Sequence, residues 1–344
     1  MPPLSLSGIR VGWKPFNYDA RVPSVRFRSI LPIRILARAG IRTNLVPADG
    51  SGDYDCVVFQ KSYTQADYEL AQEYAARGVK VVFDLCDNHF YAPGDQPMLV
   101  ERAARLRQIV DVADVVTVST PAVAELVPEK KVFLVDDALE VPRGAAVARL
   151  RASWRRRLPR RGGGRIVWFG NGESKGIDIG LIELARIVPD LESLHRSTPL
   201  RLTVISNQRR LFDQYVGGSS FPVRYVRWNA TTFAQHFSTN DVCVIPMNVN
   251  PYSVCRTNNR VRTALLLGLP VVATEIPSYA EFDPWMLVEN WQENIARYLH
   301  DRELAQQNVD GAQAHISSTY TSSRVVEQWT RVFESLLGEQ ATNV

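Results

Sequence analysis

Cysteine is scarce in this chain: four residues in 344, at Cys56, Cys86, Cys243 and Cys255. They are too few and too scattered for a disulfide framework or a zinc knuckle. Long apolar runs are also missing. The longest uncharged one, 264–273, falls well short of the ~18 residues that a membrane span needs. The opening residues, MPPLSLSGIR, carry no basic segment ahead of an apolar stretch, so no secretory signal is expected and the protein reads as cytoplasmic. No cysteine lies beside a plausible histidine, so a nucleophilic triad is not expected. What remains is an ordinary globular composition, 45% hydrophobic and 22% charged. At ~150 residues per domain, the length predicts roughly two domains.

The charge is local. The formal net charge is +4. Eight arginines and no acid fall in 149–165 (RLRASWRRRLPRRGGGR), and without them the remainder carries −4. Composition therefore argues against a nucleic-acid binder. The plain reading of the stretch is a solvated interdomain connector. The sharper reading is a peripheral contact with anionic phospholipid at the inner face of the cytoplasmic membrane, with Trp154 and the leucines as shallow anchors. Nucleic acid comes third, because no aromatic stacking platform accompanies the arginines.

Short β-branched runs alternate with helical patterns. Strands are predicted at 9–13, 43–46, 56–59, 79–83, 115–118 and 132–135, with helices at 25–39, 65–76, 97–110 and 121–126. After the arginines, strands follow at 166–169, 202–205, 223–226, 242–245 and 271–273, with helices at 177–187, 209–215, 232–237, 259–267 and 292–299. Consecutive apolar residues in strands separated by helices predict parallel sheets covered on both faces. The fold class is thus α/β, with two Rossmann-like doubly wound domains facing across a cleft. The boundaries are 1–148, a linker 149–164, 165–320 and a C-terminal helix in 321–344.

Ligands of such sheets bind outside the carboxyl ends of the strands. Gly170-Asn171-Gly172-Glu173-Ser174-Lys175-Gly176 follows a strand and opens a helix, where glycines and free N–H groups suit a phosphate. Its G-x-G-x-x-x-G spacing is one residue too long for a dinucleotide fingerprint, and the next strand ends Ile205-Ser206-Asn207 without the acid that a ribose would want. Lys175 is followed by Gly176, which excludes a P-loop. A plain tight turn accounts for the glycines alone. A second helix start, at Thr257-Asn258-Asn259, is flanked by Arg256 and Arg260. Two helix N-termini with a lysine and arginines suit a diphosphate. In the first half, Asp84-Leu85-Cys86-Asp87-Asn88-His89 follows a buried strand. Asp84, Asp87 and His89 could position or deprotonate a hydroxyl, or the aspartates could simply cap the turn. As a metal site this is a weak signal, and no metal is expected. His195, His236, His300 and His315 lie away from these loops and are assigned no role.

The segments Phe169-Gly170…Lys175-Gly176-Ile177-Asp178, Asp241-Val242-Cys243-Val244-Ile245-Pro246 and Ala264-x-x-x-Gly268-x-Pro270-Val271-Val272-Ala273-Thr274 occur in order. Together they resemble the C-terminal domain of GT-B glycosyltransferases, in particular the large retaining family of bacterial polysaccharide-assembly enzymes. The resemblance implies a donor site of Gly170, Asn171, Lys175, Asn258, Asn259, Arg260 and Thr263, with Lys175 neutralising the diphosphate. It implies acceptor contacts from Arg26, Arg28 and Asp84, and catalytic roles for Asp87, His89 and Lys175. It also implies that the last helix, 322–337, packs back on the N-terminal domain. The family's two glutamates are replaced here by Cys255 and Thr263, and its usual arginine by Asn171.

The implied activity is sugar transfer from a nucleotide-diphosphate donor to a glycan or lipid-linked acceptor, in the retaining mode by family resemblance alone, for cell-surface polysaccharide or glycoconjugate synthesis. No cofactor is expected beyond the nucleotide-sugar co-substrate. The alternatives are a nucleotide-sugar 2-epimerase and a catalytically inactive glycan- or nucleotide-binding protein of the same fold. On this reading Lys175→Ala should cost ~10²–10³ in turnover, as losing one partner of a developing negative charge does, with little change in melting temperature. Unchanged use of the donor by that variant would show the diphosphate site to be misplaced.

Overall fold

A parallel strand buried on both faces shows consecutive apolar residues, and the chain builds two sheets of this kind. The computed structural model describes residues 8–158, 162–172 and 176–338. It divides into two units. The first contains Met1–Glu140, Val254–Thr257 and Thr319–Val344, and the second Val141–Ser253 and Asn258–Ser318.

The first sheet has strands β1 (Arg10–Pro15), β2 (Arg42–Leu45), β3 (Cys56–Gln60), β4 (Lys80–Leu85), β5 (Val115–Val118) and β6 (Val132–Leu134). Their order is β2-β1-β3-β4-β5-β6, with every pairing parallel. Side chains alternate between faces, as strand geometry requires. Val57, Phe59, Val81 and Phe83 pack against Ala71 and Tyr74 of the helix Gln65–Ala76 and Leu106 and Ile109 of Pro97–Val112. Cys56, Val58, Val82 and Trp13 belong to the opposite core, with Leu36 of Leu31–Arg38. The chain enters that last helix through a wide turn, Arg26–Ile30, in which the Leu31 N–H reaches the Arg26 carbonyl. Pro32 follows at once, and its ring and missing N–H exclude a regular bond to the preceding turn.

The same opposite face is completed by the last helix, Ser322–Leu337. Trp329 stands edge-on to Trp13 with ring centroids 4.6 Å apart and stacks on Phe333 at 5.6 Å. Arg324 Nε donates to Asp136 at 2.5 Å and Gln328 Nε2 to the same carboxylate at 2.9 Å, which ties the helix to the segment after β6.

The second sheet has strands β7 (Gly164–Phe169), β8 (Leu200–Ser206), β9 (Val223–Arg227), β10 (Val242–Ile245), β11 (Val271–Ala273) and β12 (Leu287–Val288). Its order is β12-β11-β10-β7-β8-β9, again parallel throughout. Leu181–Ser197 and Trp291–His300 cover one face with Leu184, Leu191, Ile295 and Leu299. Among the described residues no helix is long and apolar enough to cross a membrane.

Three expectations need correction. The arginine stretch is not a connector as far as Arg157, because Ala145–Arg157 is a helix of the second unit and the division between units falls after Glu140. Ala145, Ala148 and Ala152 form its buried face, and a Cβ on Gly268 would lie 3.2 Å from Ala152, so small residues permit a close approach. The helix expected from residue 177 starts at Leu181, because Gly180 turns the chain at a φ of 92°. Finally, Arg302–Thr319 is a helix that periodicity did not disclose.

Trp329→Ala should destabilise the first unit by ~3–5 kcal/mol, the usual cost of a buried tryptophan. A thermal melt checks this, and an unchanged transition would mean the helix does not hold the sheet.

Candidate functional site

In the first unit the loops after β3 and β4 lie side by side because the strands are neighbours. Lys61, just past β3, sits at a φ of 51°, a left-handed conformation uncommon for a residue with a side chain, and its N–H caps the Asp84 carbonyl at 3.1 Å. Its Nζ meets Asp87 Oδ2 at 2.6 Å. His89 Nε2 is 3.9 Å from the same oxygen, and His89 Nδ1 is 2.5 Å from the Tyr63 hydroxyl. The Arg102 guanidinium donates to the His89 and Tyr91 carbonyls at 3.1 and 2.7 Å, which fixes the loop.

Burial pushes the Asp87 carboxyl up, but Lys61, His89 and Arg256 outweigh it and hold it at about 2. Burial, with Lys61 and Arg102, holds His89 down at about 3 against the pull of Asp87. The cluster therefore presents a carboxylate and a neutral imidazole at pH 7. A proton acceptor works best with its pKa near the working pH, so in this state the pair is set to hold hydroxyls rather than to strip them.

Asp84 and Arg28 do something else. Arg28 is 1% exposed and Asp84 0%. Arg28 Nε donates to Asp84 Oδ2 at 3.1 Å and Nη2 to Oδ1, while Nη1 reaches the Val135 carbonyl and Asp137 Oδ1. The Thr117 hydroxyl donates to Asp84 at 2.7 Å, and that of Thr257 to Asp137 at 2.8 Å. Burial works against the Arg28 charge, and the two aspartates more than restore it. Arg26 forms a two-pronged pair with Glu140 at 2.8 and 3.0 Å. The acceptor contacts expected of Arg28 and Asp84 are thus replaced by a buried lock. It joins the wide helical turn to β4, β5 and the segment after β6, beneath the Asp87–His89 loop.

In the second unit β7 runs into Gly170, whose N–H donates to the Ile205 carbonyl, and then exposed Asn171 and buried Gly172. Lys175, with Glu173 and Ser174, lies outside the described residues. At the far end of the loop a Cβ on Gly180 would fall 2.4 Å from the Gly172 carbonyl oxygen, so only glycine closes this turn. Glu183 locks it, accepting from the Gly180 N–H at 2.8 Å and, through its other oxygen, from the Asn248 N–H at 3.0 Å.

Arg260, at the start of the helix Asn259–Leu266, donates to the Phe169 carbonyl at 2.5 Å, and its guanidinium lies over the Trp168 and Phe169 rings. A Cβ on Gly170 would come within 3.6 Å of its Cζ. The structure thus brings Gly170 and Arg260 together at the carboxyl end of β7. Asn258 is held by Glu281 at 2.6 Å, Asn259 accepts from buried Arg262, and Thr263 lies partly buried one turn along. Cys255, at one of the expected glutamate positions, is buried in the first unit's core. Among the described residues no three His, Cys, Asp or Glu side chains converge as a metal-binding group.

Lys61, Tyr63, Arg102, Glu183 and Glu281 were not picked out from the sequence. Lys61 and Glu281 each follow a strand, β3 and β11, so carboxyl-end position was the available signal.

No protein-family model and no curated protein matches the sequence. Solved structures do. HepE of Anabaena, in complex with UDP and glucose, aligns with a TM-score of 0.63 at 14% identity, covering 95% of this chain and 100% of its own. A glycosyltransferase of Rickettsia africae aligns at 0.59 and 11% identity, over 96% and 99%. TarM of S. aureus, in complex with fondaparinux, α-GlcNAc-glycerol and UDP, aligns at 0.59 and 11%, over 80% and 55%, so the chain spans about half of that protein. The fold is that of the GT-B glycosyltransferases.

The His89 environment has a pH signature. Its ordinary pKa lies near 6.5, and the fold keeps it neutral down to about 3. The unfolded chain takes up a proton as pH falls through 6.5 and the native state does not. The stabilisation present above 6.5 is therefore lost toward 3, by up to ~1.4 kcal/mol per pH unit. In urea titrations at pH 7 and pH 5, His89→Gln should lose less stability than wild type. Equal losses would show that His89 titrates normally.

Proposed function

We propose that the protein is a glycosyltransferase that moves a sugar from a nucleotide-diphosphate donor to a glycan or lipid-linked acceptor. The observation that carries this reading is Arg260, held against Gly170 by the Phe169 carbonyl and two aromatic rings at the start of an eight-residue helix. When the anomeric bond breaks, positive charge grows on the sugar and negative charge on the leaving diphosphate. A guanidinium already fixed at a helix N-terminus stabilises that leaving charge without reorganising. Backbone N–H groups after Asn258 and the glycine turn would hold the phosphates, with Lys175 as second cation.

In the first unit, Asp87 and His89, kept in place by Lys61, Tyr63 and Arg102, would bind and orient the acceptor hydroxyl. HepE and TarM were each solved with UDP, which makes uridine diphosphate sugars the first donors to test. A retaining outcome and a place in polysaccharide or glycoconjugate synthesis follow from the family resemblance. The rival reading, a nucleotide-sugar-binding protein without transfer, draws on one observation: neither Cys255, buried, nor Thr263 offers a carboxylate.

Thermal shift with a panel of nucleotide sugars, followed by product analysis, tests both. Wild type should be stabilised by its donor and should hydrolyse or transfer the sugar. Arg260→Ala should lose ~10²–10³ in rate, whereas Asp87→Asn and His89→Ala should keep donor binding and lose transfer. Donor binding with no turnover under any acceptor supports the rival, inversion at C2 an epimerase, and full activity of Arg260→Ala removes the site.

A further inference from the structure

The helix Ala145–Arg157 is built inside out. A helix on a globular domain normally buries its large apolar residues and turns small or polar ones to water. Here the buried face is Ala145, Ala148 and Ala152. Val147, Leu150 and Trp154 repeat at i, i+3 and i+7 on the opposite side, and Leu158 continues the line. They are 61%, 68%, 67% and 51% exposed. Among the described residues of the second unit, none buries this stripe.

The arginines divide in the same way. Arg155 turns inward to Asp241 at 3.1 Å. Arg156 donates to the Gly268 carbonyl at 2.6 Å and to Gln306 at 2.8 Å, and burial lowers its pKa to about 10. Arg143, Arg149, Arg151 and Arg157 are exposed. Arg151 and Arg157 flank the apolar stripe, and the helix contains no acid. Among the described residues no carboxylate pairs with any of these four.

We propose that this helix docks on an anionic phospholipid bilayer, with Val147, Leu150, Trp154 and Leu158 at the headgroup–acyl boundary and the exposed arginines on lipid phosphates. An apolar line bordered by arginines is the pattern of a helix lying in a membrane interface. The stripe is one helix wide, too narrow for the ~800 Å² per partner of a stable protein interface. A single aromatic gives no stacking path for a nucleic acid. The proposal stands apart from the sugar-transfer reading and its test uses no activity.

The test is co-sedimentation of the whole protein with vesicles of phosphatidylcholine alone or with about one third phosphatidylglycerol. Wild type should bind the mixed vesicles and not the neutral ones. Binding should weaken as salt shortens the screening length from about 10 Å at 0.1 M to about 3 Å at 1 M. The double variant Arg151→Ser/Arg157→Ser should bind about 25-fold more weakly, at about fivefold per arginine. Leu150→Ser/Trp154→Ser should lose about tenfold. All four side chains are exposed, so both variants should melt like wild type. Arg155→Ser, whose guanidinium faces inward, should bind vesicles as wild type does.

The proposal is overturned by binding that is absent or equal for the two vesicles, or by unchanged binding of either double variant. It is also overturned by RNA binding in place of vesicle binding, or by a dimer in gel filtration that Trp154→Ser abolishes.

Discussion

All strand pairings in both sheets are parallel, and a parallel strand cannot be joined to its neighbour by a tight turn. The chain must leave the carboxyl end of each strand, cross a face of the sheet and return to the other end. Two consequences follow from that one constraint. Both faces of each sheet become covered, which is why residues of opposite parity in β3 and β4 are equally buried. The loops that leave the strands also collect along one edge, where chemistry can be assembled from residues far apart in sequence. Lys61 with Asp87, and Gly170 with Arg260, meet for this reason. The helix Ser322–Leu337 satisfies the same constraint: without it the Trp13 face of the first sheet would lose part of its cover.

The buried Arg28–Asp84 pair shows how a site is supported from below. Taking both charges out of water is expensive, and their attraction alone need not offset that cost. Here nearly every polar position is also used: Asp84 accepts from Thr117, and Arg28 reaches Val135 and Asp137. A satisfied network of this kind allows one arrangement and penalises others, because displacing any member strands a charge. The strand end that carries Asp87 and His89 is thereby fixed to the helical turn across from it. The two aspartates, three residues apart, do different work because one points into the sheet layer and the other out of the loop beyond it.

That distinction marks the limit of what the sequence shows. The strands and most helices were legible because burial on two faces leaves uninterrupted apolar runs. The Asp84 and Asp87 roles were not, since both are acids at a strand's end, and only register reveals that Asp84 stands opposite Thr117 inside the sheet. Lys61 was missed because a lone lysine after a strand looks like any surface lysine until its neighbour strand is known. The arginine stretch misled by its charge. Its structural signal was the alanine spacing at 145, 148 and 152, a weak one because alanine is common on either face of a helix.

On the proposed function, the charges of the two units match what each would hold. A diphosphate carries charge that grows as it leaves, so a cation is useful there only if its position is settled beforehand. Arg260 is held there by a carbonyl and two aromatic rings. The acceptor hydroxyl of that proposal carries no charge, and the Asp87 cluster is balanced, with a carboxylate against a lysine and a neutral imidazole beside them. The same logic separates the arginines of Ala145–Arg157. Those that fasten the helix are matched to a carboxylate, a carbonyl or an amide, and those turned to solvent have no carboxylate partner among the described residues. Exposed arginines beside exposed tryptophan and leucine are stable in water, and on the membrane proposal a phosphate-rich interface would take up both kinds of side chain at once.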